Sequence, residues 1–503
     1  MEDQNGEQVP STQAAVSGYR RLFSNPLFHL AVLGVLSAVL LFSNLHRGGL
    51  SGYDDAIFAY ESRQMVVSSD WLTLRANGEL HFDYLPMFYW IEAVSMSVFG
   101  FTDFAAKLPA AICGLLLIIL TFFIARELTG DNTIAIISAW VLMLTQYFMK
   151  YATHAMSDVP FALFFACALF CYLKGLRNKN YFLLFGLAVA FAIMTRTVLG
   201  VIPFGIGLTH LVLIRRWDVL RSKEFIGATF LAIALPMLLY VAYYRLYGDA
   251  FLHGHFSFIW TKTVSEEPFS FQKRIAGLFE YPFLLLKLYE PWLIFSMIGF
   301  WWQLQRAKNE RHSSSVLLVL WVCLVILPFS LVSAKVLRYI MPVFPALAIL
   351  AALPLSALLQ KLMKPKYQTA IFSALCILIL AVPFFSRPRF RAEGVLAIAP
   401  VIASKTDGKQ RVVLYTSGEL HQDVLNQLIW YTDRLYTYLA DPGKLQAMLR
   451  SGDVFTLVID KKSFDNVVAP AGTGFEVLGA TDEYVCLRMR PPFPPRSNLV
   501  DMP

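Results

Sequence analysis

Two adjacent carboxylates, Asp54 and Asp55, follow the first apolar segment of the chain, in the polar stretch 52–65. Neighbouring carboxylates beside a membrane can act as a general base and its partner, or as ligands of a divalent cation. The alternative is structural, because an Asp at the start of an apolar helix caps free backbone N–H groups. The residues alone leave both interpretations open.

A second acidic site lies at 154–160, where one apolar segment ends and the next begins. His154 and Asp158 are four residues apart and would share a helix face if the helix is continuous. The alternative is that Asp158 caps the following helix, with Pro160 in its first turn. Asp158 is therefore a candidate catalytic residue, and His154 is a candidate residue of the substrate pocket.

Several basic residues lie where apolar segments end. Lys335 and Arg338 are three residues apart in one such turn, Arg196 ends another segment, and Arg63 follows the Asp pair. Cations beside the membrane suit the phosphate of a lipid carrier. The alternatives are snorkelling of the long side chains to the interface and, for Arg63, a salt bridge with a nearby carboxylate.

The sequence gives little support for a bound metal. His253 and His255 form an H-x-H pair, but two ligands without a third are weak grounds for a zinc site. The six cysteines show no metal-binding spacing, and most lie in apolar runs. We expect that no cofactor is required; a divalent cation is compatible with the chemistry but unsupported.

Composition indicates a polytopic membrane protein. Of the 503 residues, 57% are hydrophobic and only 16% are charged, whereas soluble domains have about 25% charged residues. The formal net charge of +8 does not indicate nucleic-acid binding, because Lys and Arg cluster in short loops between apolar runs, as positive-inside topology expects.

Eleven segments are apolar and long enough to predict membrane spans. They are 27–45, 107–126, 132–149, 158–175, 180–196, 199–214, 225–246, 284–303, 316–333, 340–359 and 366–386. The short segment 86–99 predicts an interfacial helix, because a twelfth span would put four basic clusters on the wrong side.

This topology predicts the domain organisation. Residues 1–26 form a cytoplasmic tail and 27–386 a transmembrane domain, which includes a first outer loop at 46–106 and an outer lid loop at 247–283. The remainder, 387–503, predicts a small α/β domain on the outer side, with strands at 412–416, 435–438 and 455–459. The polar candidates gather on this outer face, so they predict transfer of a group from a lipid phosphate.

The order of these motifs resembles the GT-C glycosyltransferases of the protein O-mannosyltransferase and lipid A aminoarabinose-transferase type. The resemblance covers about residues 50–390. The residues that carry it are Asp54-Asp55, Arg63-Gln-Met65, Asp70-Trp71, Asn77-Gly78, Phe82-Asp83, Pro86-Met87, Ser157-Asp158-Val-Pro160, Ser333-Ala-Lys335 and Tyr339-Ile-Met-Pro342. The resemblance implies a GT-C fold, with Asp54 as the catalytic carboxylate and Asp55 where Glu is usual.

The resemblance also assigns the remaining site residues. Asp158 matches the acidic residue of the second outer loop, and Lys335, Arg338 and Tyr339 fall in the stretch that meets the carrier phosphate. Arg196 matches a position where the aminoarabinose branch tends to have Lys.

Three features depart from the aminoarabinose branch, and one of them is the loss of a Pro in Phe82-Asp-Tyr-Leu-Pro86. Ile57 replaces an Arg, and Tyr84 replaces a Lys beside Asp83, so two cations of that branch's pocket are absent. These differences favour another sugar or another acceptor.

We therefore predict an inverting glycosyltransferase of the bacterial inner membrane, with a cytoplasmic N-terminus and a periplasmic C-terminal domain. It would take a sugar from a polyprenyl-phosphate donor and transfer it to a lipid, glycan or protein acceptor at the periplasmic face. Asp54, Asp55 and Asp158 would be catalytic, and Lys335, Arg338, Arg196, Arg63 and Tyr339 would bind the phosphate. Tyr84, Asp83 and His154 would line the substrate pocket. The alternative is a polyprenol-linked glycan transporter without transferase activity, which would need ionisable residues on both sides of the midplane.

Overall fold

The fold is described from a computed structural model of the chain. It describes residues 25–50, 52–263, 271–309, 312–331, 337–362, 374, 376, 378, 381, 393–407, 411–416, 422–450, 453–469 and 474–489.

Helices form almost all of the described chain before residue 363. They are α1 (Pro26–Phe42), α2 (Gly52–Ser68), α3 (Met87–Phe99), α4 (Asp103–Thr129), α5 (Asn132–Leu144), α6 (Gln146–Ala152), α7 (Asp158–Gly175), α8 (Tyr181–Arg196), α9 (Ile202–Leu213), α10 (Lys223–Tyr247), α11 (Asp249–Thr263), α12 (Phe271–Leu288), α13 (Trp292–Asn309), α14 (Ser313–Leu331) and α15 (Phe344–Leu362). Two 3-10 helices, Thr197–Val201 and Leu337–Val343, and the single turn Trp217–Leu220 connect some of them. The short strands β1 (Arg75–Ala76) and β2 (Glu79–Leu80) pair antiparallel between α2 and α3.

Six helical segments in the described ranges are long and apolar enough to cross a membrane. They are Asp103–Thr129, Asp158–Gly175, Tyr181–Leu213, Lys223–Tyr247, Ser313–Ser330 and Leu337–Lys361. Helices α5 and α6 meet at a bend of 67°; if they form one span together, the number of candidate spans in the described ranges rises to seven. The chain is therefore a mostly helical, multi-pass membrane protein. The predicted span 366–386 lies almost entirely outside the described residues.

The segment Tyr181–Leu213 contains a reversal of the chain. The rings of Phe185 and Phe204 stack with centroids 5.9 Å apart, whereas a continuous helix would separate these residues by about 28 Å. The turn is tight, because a Cβ on Gly200 would lie 2.2 Å from the backbone nitrogen of Ile193. Helices α8 and α9 therefore form a hairpin, and Arg196 lies at its tip.

Two predicted segments were wrong in their boundaries. The predicted span 284–303 is broken, because α12 ends at Leu288 and α13 begins at Trp292. Pro291 explains the break: it lacks an N–H group and disfavours helical geometry at the residue before it. In the predicted lid loop 247–283, the described residues from Asp249 onwards are helical, in α11 and α12. Its residues 264–270 lie outside the described residues.

Helix α3 has 13 residues and is about 20 Å long, which is shorter than the ~30 Å hydrocarbon layer of a bilayer. Its length therefore agrees with an interfacial position.

The chain from residue 393 contains a five-stranded mixed sheet. Its strands are β3 (Val412–Tyr415), β4 (Tyr436–Leu439), β5 (Thr456–Asp460), β6 (Phe475–Ala480) and β7 (Tyr484–Met489), in the order β4-β3-β5-β7-β6. Strand β3 runs parallel to β4 and β5, and β7 runs antiparallel to β5 and β6. Helices α16 (Glu393–Lys405), α17 (Gln422–Thr432) and α18 (Pro442–Arg450) accompany it, with the short helices Lys461–Ser463 and Phe464–Val468 after β5.

Alternation along the strands gives this sheet two apolar faces. Val412 and Leu414 pack in one cluster with α16 and α17, whereas Val413 and Tyr415 pack in another with α18. The first cluster also contains Ala56, from helix α2. The described part of 393–489, called the C-terminal unit below, therefore shares a core with the helix that carries the Asp pair.

Candidate active site

Asp54 lies in the first turn of α2 and forms an ion pair with Arg338. Arg338 Nη2 is 2.5 Å from Asp54 Oδ2, and both side chains are largely buried. Arg338 belongs to the 3-10 helix Leu337–Val343, which Trp321 fixes by donating its indole N–H to the carbonyl of Pro342 at 2.9 Å. The pair joins two segments that are far apart in the sequence.

Asp158 and Arg196 form a second ion pair, which is buried. Arg196 Nη2 donates to Asp158 Oδ1 at 2.7 Å, and the two side chains are 5% and 2% exposed. Asp158 is the first residue of α7, whose N-cap is Ser157. The sequence left open whether Asp158 only caps a helix. In the structure Ser157 is the N-cap, and the Asp158 carboxylate pairs with a cation.

Aromatic rings enclose the Arg196 guanidinium. Arg196 Nη1 donates to the Tyr84 hydroxyl at 3.1 Å, and Arg196 Cζ lies 5.0 Å from the centre of the Tyr84 ring and 5.7 Å from that of Tyr339. Burial raises the pKa of Tyr84; Arg196 opposes this, and Tyr339, Asp54 and Asp158 add to it. Tyr84 therefore lies within electrostatic reach of both ion pairs, which form one cluster.

Each arginine keeps an N–H group available. Arg196 Nε and Arg338 Nε are buried and have no hydrogen-bond partner among the described residues. A buried donor without a partner costs about 1–3 kcal/mol. Phosphate oxygens accept such donors, with geometry that suits a guanidinium.

Two local features place Arg196 beside Asp158. Arg196 ends α8, and Thr197 then adopts φ +39, a left-handed conformation that turns the chain back. Gly200 allows the close approach to Ile193 described above, because any side chain there would overlap the backbone of α8. The hairpin tip thus presents the cation to the start of α7.

Asp55 has different neighbours from Asp54. It is 1% exposed and contributes with Glu61 to the raised pKa of Glu92. Burial is the main cause of that raised pKa, and the hydrogen bond that Ser62 Oγ donates to Glu92 Oε2 at 2.6 Å opposes it. The protonated form of Glu92 is therefore favoured, and Asp55 belongs to a group of buried carboxyl side chains shared by α2 and α3.

Two other predicted residues, His154 and Arg63, lie outside the two ion pairs. His154 lies in the turn before α7, with its Nδ1 2.6 Å from the carbonyl of Lys150. The expected shared helix face with Asp158 was wrong, because the helix begins only at Asp158. Arg63 pairs with Asp433 of the C-terminal unit at 2.7 Å. Lys335 lies outside the described residues.

A charged triad that the sequence did not indicate fixes the loop before Tyr84. His81 Nδ1 contacts the buried Glu61, and His81 Nε2 is 2.9 Å from Asp83 Oδ2. Burial lowers the pKa of His81, but Glu61 and Asp83 outweigh it and raise the pKa to about 11. Asp83, predicted to line the substrate pocket, thus forms an ion pair within this loop. Sequence patterns give no signal for Glu61, because it lies on an otherwise ordinary helix.

His255 fixes the same loop from α11. Its Nδ1 is 2.7 Å from the carbonyl of Phe82, and its Nε2 is 2.9 Å from the Tyr240 hydroxyl. His253 is exposed while His255 is fully buried. In a helix, residues two apart do not face each other, so the H-x-H pair does not form a metal site.

Tyr147 and Tyr151 of α6 are further residues that the sequence did not single out. Their ring centroids are 4.8 Å apart, and Tyr147 lies within electrostatic reach of Asp158 and Arg338. The break between α5 and α6 at Thr145 places them there. The sequence signal that could have identified them is the presence of two tyrosines four residues apart near the end of the predicted span 132–149. In the described ranges, His, Cys, Asp and Glu form no group of three or more that could hold a metal ion.

Comparison with known proteins identifies the fold. A family model described as dolichyl-phosphate-mannose-protein mannosyltransferase matches residues 83–241. This range contains Tyr84, Asp158 and Arg196, whereas Asp54 and Arg338 lie outside it.

Curated relatives are similar over about two thirds of the chain. An uncharacterized protein of Aquifex aeolicus (strain VF5) is 29% identical over 350 residues, which are 69% of this chain and 66% of the relative. The undecaprenyl phosphate-alpha-4-amino-4-deoxy-L-arabinose arabinosyl transferase of Enterobacter sp. (strain 638) is 26% identical, over 65% of this chain and 60% of the relative. The chain thus matches somewhat less than two thirds of the length of these relatives.

Solved structures resemble almost the whole chain. ArnT from Cupriavidus metallidurans, bound to undecaprenyl phosphate, has a TM-score of 0.69 at 18% identity and covers 91% of this chain and 97% of its own. The Archaeoglobus fulgidus oligosaccharyltransferase has a TM-score of 0.53 at 13% identity, over 88% of this chain and 69% of its own. The predicted resemblance to the GT-C glycosyltransferases is confirmed, and the chain has their fold.

Proposed function

Starting from the GT-C fold, we propose that the chain is an inverting glycosyltransferase that uses a polyprenyl-phosphate sugar as its donor. It transfers the sugar to a hydroxyl group of a lipid, glycan or protein at the periplasmic face of a bacterial inner membrane. Two similar proteins support this proposal. A relative from Enterobacter is named an arabinosyl transferase that uses an undecaprenyl phosphate sugar, and the structure of ArnT contains undecaprenyl phosphate.

One observation carries this proposal: two arginines, each paired with one carboxylate, both lie beside the Tyr339 ring, and Arg196 also contacts Tyr84. Each guanidinium keeps a buried Nε–H group without a partner among the described residues. Two guanidiniums side by side suit a phosphodiester, and the carboxylate next to one of them suits a base.

In this mechanism Asp54 removes the proton from the acceptor hydroxyl. The acceptor oxygen attacks the anomeric carbon from the face opposite the phosphate, so the configuration inverts. The bond between the anomeric carbon and the phosphate oxygen breaks, and its electron pair leaves with polyprenyl phosphate. Arg196 and Arg338 stabilise the negative charge that develops on this leaving group.

Donor binding and base activation are coupled in this arrangement. Arg338 Nη2 holds Asp54 at 2.5 Å, and donor phosphate competes for the same guanidinium. A phosphate on Arg338 therefore weakens the hold on Asp54 and leaves this carboxylate available for the acceptor proton. Asp158 instead keeps Arg196 in place, because that pair is nearly inaccessible to solvent.

The sugar differs from aminoarabinose in this proposal. Tyr84 stands where the aminoarabinose branch has Lys, and its ring and hydroxyl both contact Arg196. The pocket thus has an aromatic, hydrogen-bonding wall at a position where that branch has a cation. Such a wall suits the face of a neutral sugar.

The transporter alternative has less support. It needs ionisable residues spread along the spans, whereas both ion pairs of the cluster lie at helix ends, at Asp54, Asp158 and Arg196.

Lipid extracts test the proposal. Cells that lack the protein should accumulate a polyprenyl-phosphate sugar, detected by mass spectrometry, and the wild-type gene should remove it. Unchanged carrier lipids in the deletion strain would contradict the proposed donor. An accumulated lipid that lies only in the inner leaflet would support the transporter instead.

A further inference from the structure

Helix α17 of the C-terminal unit packs on the helix that carries Asp54. Ala56, Ala59 and Tyr60 of α2 lie in one buried cluster with Leu428 and Ile429 of α17. Two alanines one turn apart let the helices approach closely, and all five residues are at most 4% exposed.

The backbone just before α2 is held by two side chains of α17. The N–H group of Leu50 donates to the Tyr431 hydroxyl at 2.6 Å, and the Leu50 carbonyl accepts from Gln427 Nε2 at 3.0 Å. Leu50 is fully buried. Both backbone groups of a residue four positions before Asp54 are therefore satisfied by the C-terminal unit.

Helix α4 also contacts the backbone before α2 and the two aromatic side chains of α17 beside it. Asp103 accepts hydrogen bonds from the Trp430 indole at 2.9 Å and from the Tyr431 hydroxyl at 3.1 Å. Lys107, one turn further along α4, donates to the carbonyls of Arg47 at 3.2 Å and Gly49 at 2.5 Å. The segment 47–50 is thus fixed between α4 and α17.

Two further contacts continue this interface along the first outer loop. Arg63 pairs with Asp433 at 2.7 Å, with its guanidinium over the rings of Phe101 and Trp430. Asn77 forms two hydrogen bonds of 2.8 Å with the backbone N–H and carbonyl of Tyr436, at the start of β4. The C-terminal unit therefore contacts the loop at both ends of α2.

We propose that the C-terminal unit is a positioning clamp for the catalytic carboxylate, with Gln427 and Tyr431 as positioning residues that act on Asp54 through the backbone of Leu50. This inference rests on the proposed role of Asp54. A base must lie within a fraction of an ångström of its productive position, and a shift of 1 Å can cost about 100-fold in rate. The clamp fixes the start of α2, on which that position depends.

The test uses the full-length protein with Tyr431→Phe, Gln427→Met and the double variant. Each substitution removes one hydrogen bond to Leu50 and leaves the size of the side chain almost unchanged; Tyr431→Phe also removes the hydrogen bond to Asp103. Tyr484→Phe is the matched control, because it removes a hydroxyl from β7 of the same unit. Two quantities are measured: amide hydrogen exchange of residues 49–56, and the kcat and donor KM of sugar transfer.

The double variant should exchange faster at 49–56 and lose about tenfold or more in kcat. Its donor KM should change much less than its kcat, because Arg196 keeps its partner Asp158 and Arg338 belongs to the 3-10 helix Leu337–Val343 rather than to α2. Tyr484→Phe should match the wild type in both measurements. Unchanged exchange at 49–56, or an equal loss of kcat in Tyr484→Phe, would overturn the clamp.

The exchange measurement needs no substrate, so it separates this inference from the proposed function. A wild-type protein without transferase activity would refute the proposed function, while faster exchange in the double variant would still support the clamp.

Discussion

The buried pair between Asp158 and Arg196 allows a quantitative prediction. The two atoms are 2.7 Å apart and the side chains are 5% and 2% exposed, so removing one partner leaves the other charge buried without compensation. Such a change costs about 3–5 kcal/mol in stability. We expect Arg196→Gln and Asp158→Asn each to lower the free energy of unfolding by about this amount.

The double variant should be less destabilised than the two single variants predict. Once both charges are gone, no buried ion remains unpaired, so we expect a coupling energy of about 2–3 kcal/mol between the two positions. Arg196→Gln should also lower the transfer rate in membranes where the protein still folds, because it removes a phosphate contact in the proposed mechanism.

The measurement is chemical unfolding in detergent micelles, made as a double-mutant cycle. Arg177→Gln is the control: Arg177 is bound to Glu127 at 2.8 Å but is 73% exposed, so we expect a change of at most ~1 kcal/mol. Additive losses at Asp158 and Arg196, or a loss at Arg177 of equal size, would refute the argument.

Three other perturbations follow from the same geometry. Arg338→Gln should lower kcat/KM for the donor by about 100-fold or more, measured by release of polyprenyl phosphate; a loss confined to the acceptor KM would contradict the phosphate role. Gly200→Ala should lower both stability and transfer, because its Cβ would lie 2.2 Å from the nitrogen of Ile193; an unchanged melting temperature would contradict the tight hairpin. His81 is protonated between Glu61 and Asp83, with its pKa raised from 6.5 to about 11, so its contribution to stability should be complete below pH 6.5 and lost as the pH rises towards 11. His81→Gln should remove this part of the pH dependence, and an identical pH profile of unfolding in the variant and the wild type would contradict it.

The sequence predicted those features that depend on local pattern. The sequence predicted that a span begins at Asp158, because this acidic residue and Pro160 stand at the start of an apolar run. Helix α7 has the predicted bounds. The strands near 412, 436 and 456 lie within one residue of their predicted positions, because short runs of β-branched and aromatic residues between turns are a strong signal.

Features that depend on distant contacts could not be predicted in this way. The partners of Asp54 and Asp158 come from segments far along the chain, so spacing carries no information about which arginine meets which carboxylate. Arg63 was grouped with the phosphate-binding cations, but its partner Asp433 lies in the C-terminal unit. For Arg63 the alternative interpretation, a salt bridge with a carboxylate, agrees with the structure, because the C-terminal unit packs against α2.

The helical boundaries show a different limit. The apolar run 284–303 was predicted to be one span, although Pro291 ends the helix inside it. Hydrophobicity alone did not register this break, whereas the geometry of proline predicts it. Helix α11 lies in the segment 247–283, which the topology of the apolar spans predicted to be an outer lid loop. It is helical, and its buried face meets Phe82 through His255.

The central claim is that Asp54 accepts the acceptor proton during transfer from a polyprenyl-phosphate sugar. The most direct measurement uses purified protein in liposomes with the carrier lipid that accumulates in the deletion strain, and follows release of polyprenyl phosphate. Asp54→Asn should abolish release while folding is retained. Asp131→Asn is the matched control and should release it at the wild-type rate, because Asp131 caps α5 and Asn caps a helix equally well. Release by Asp54→Asn at the wild-type rate would contradict the account.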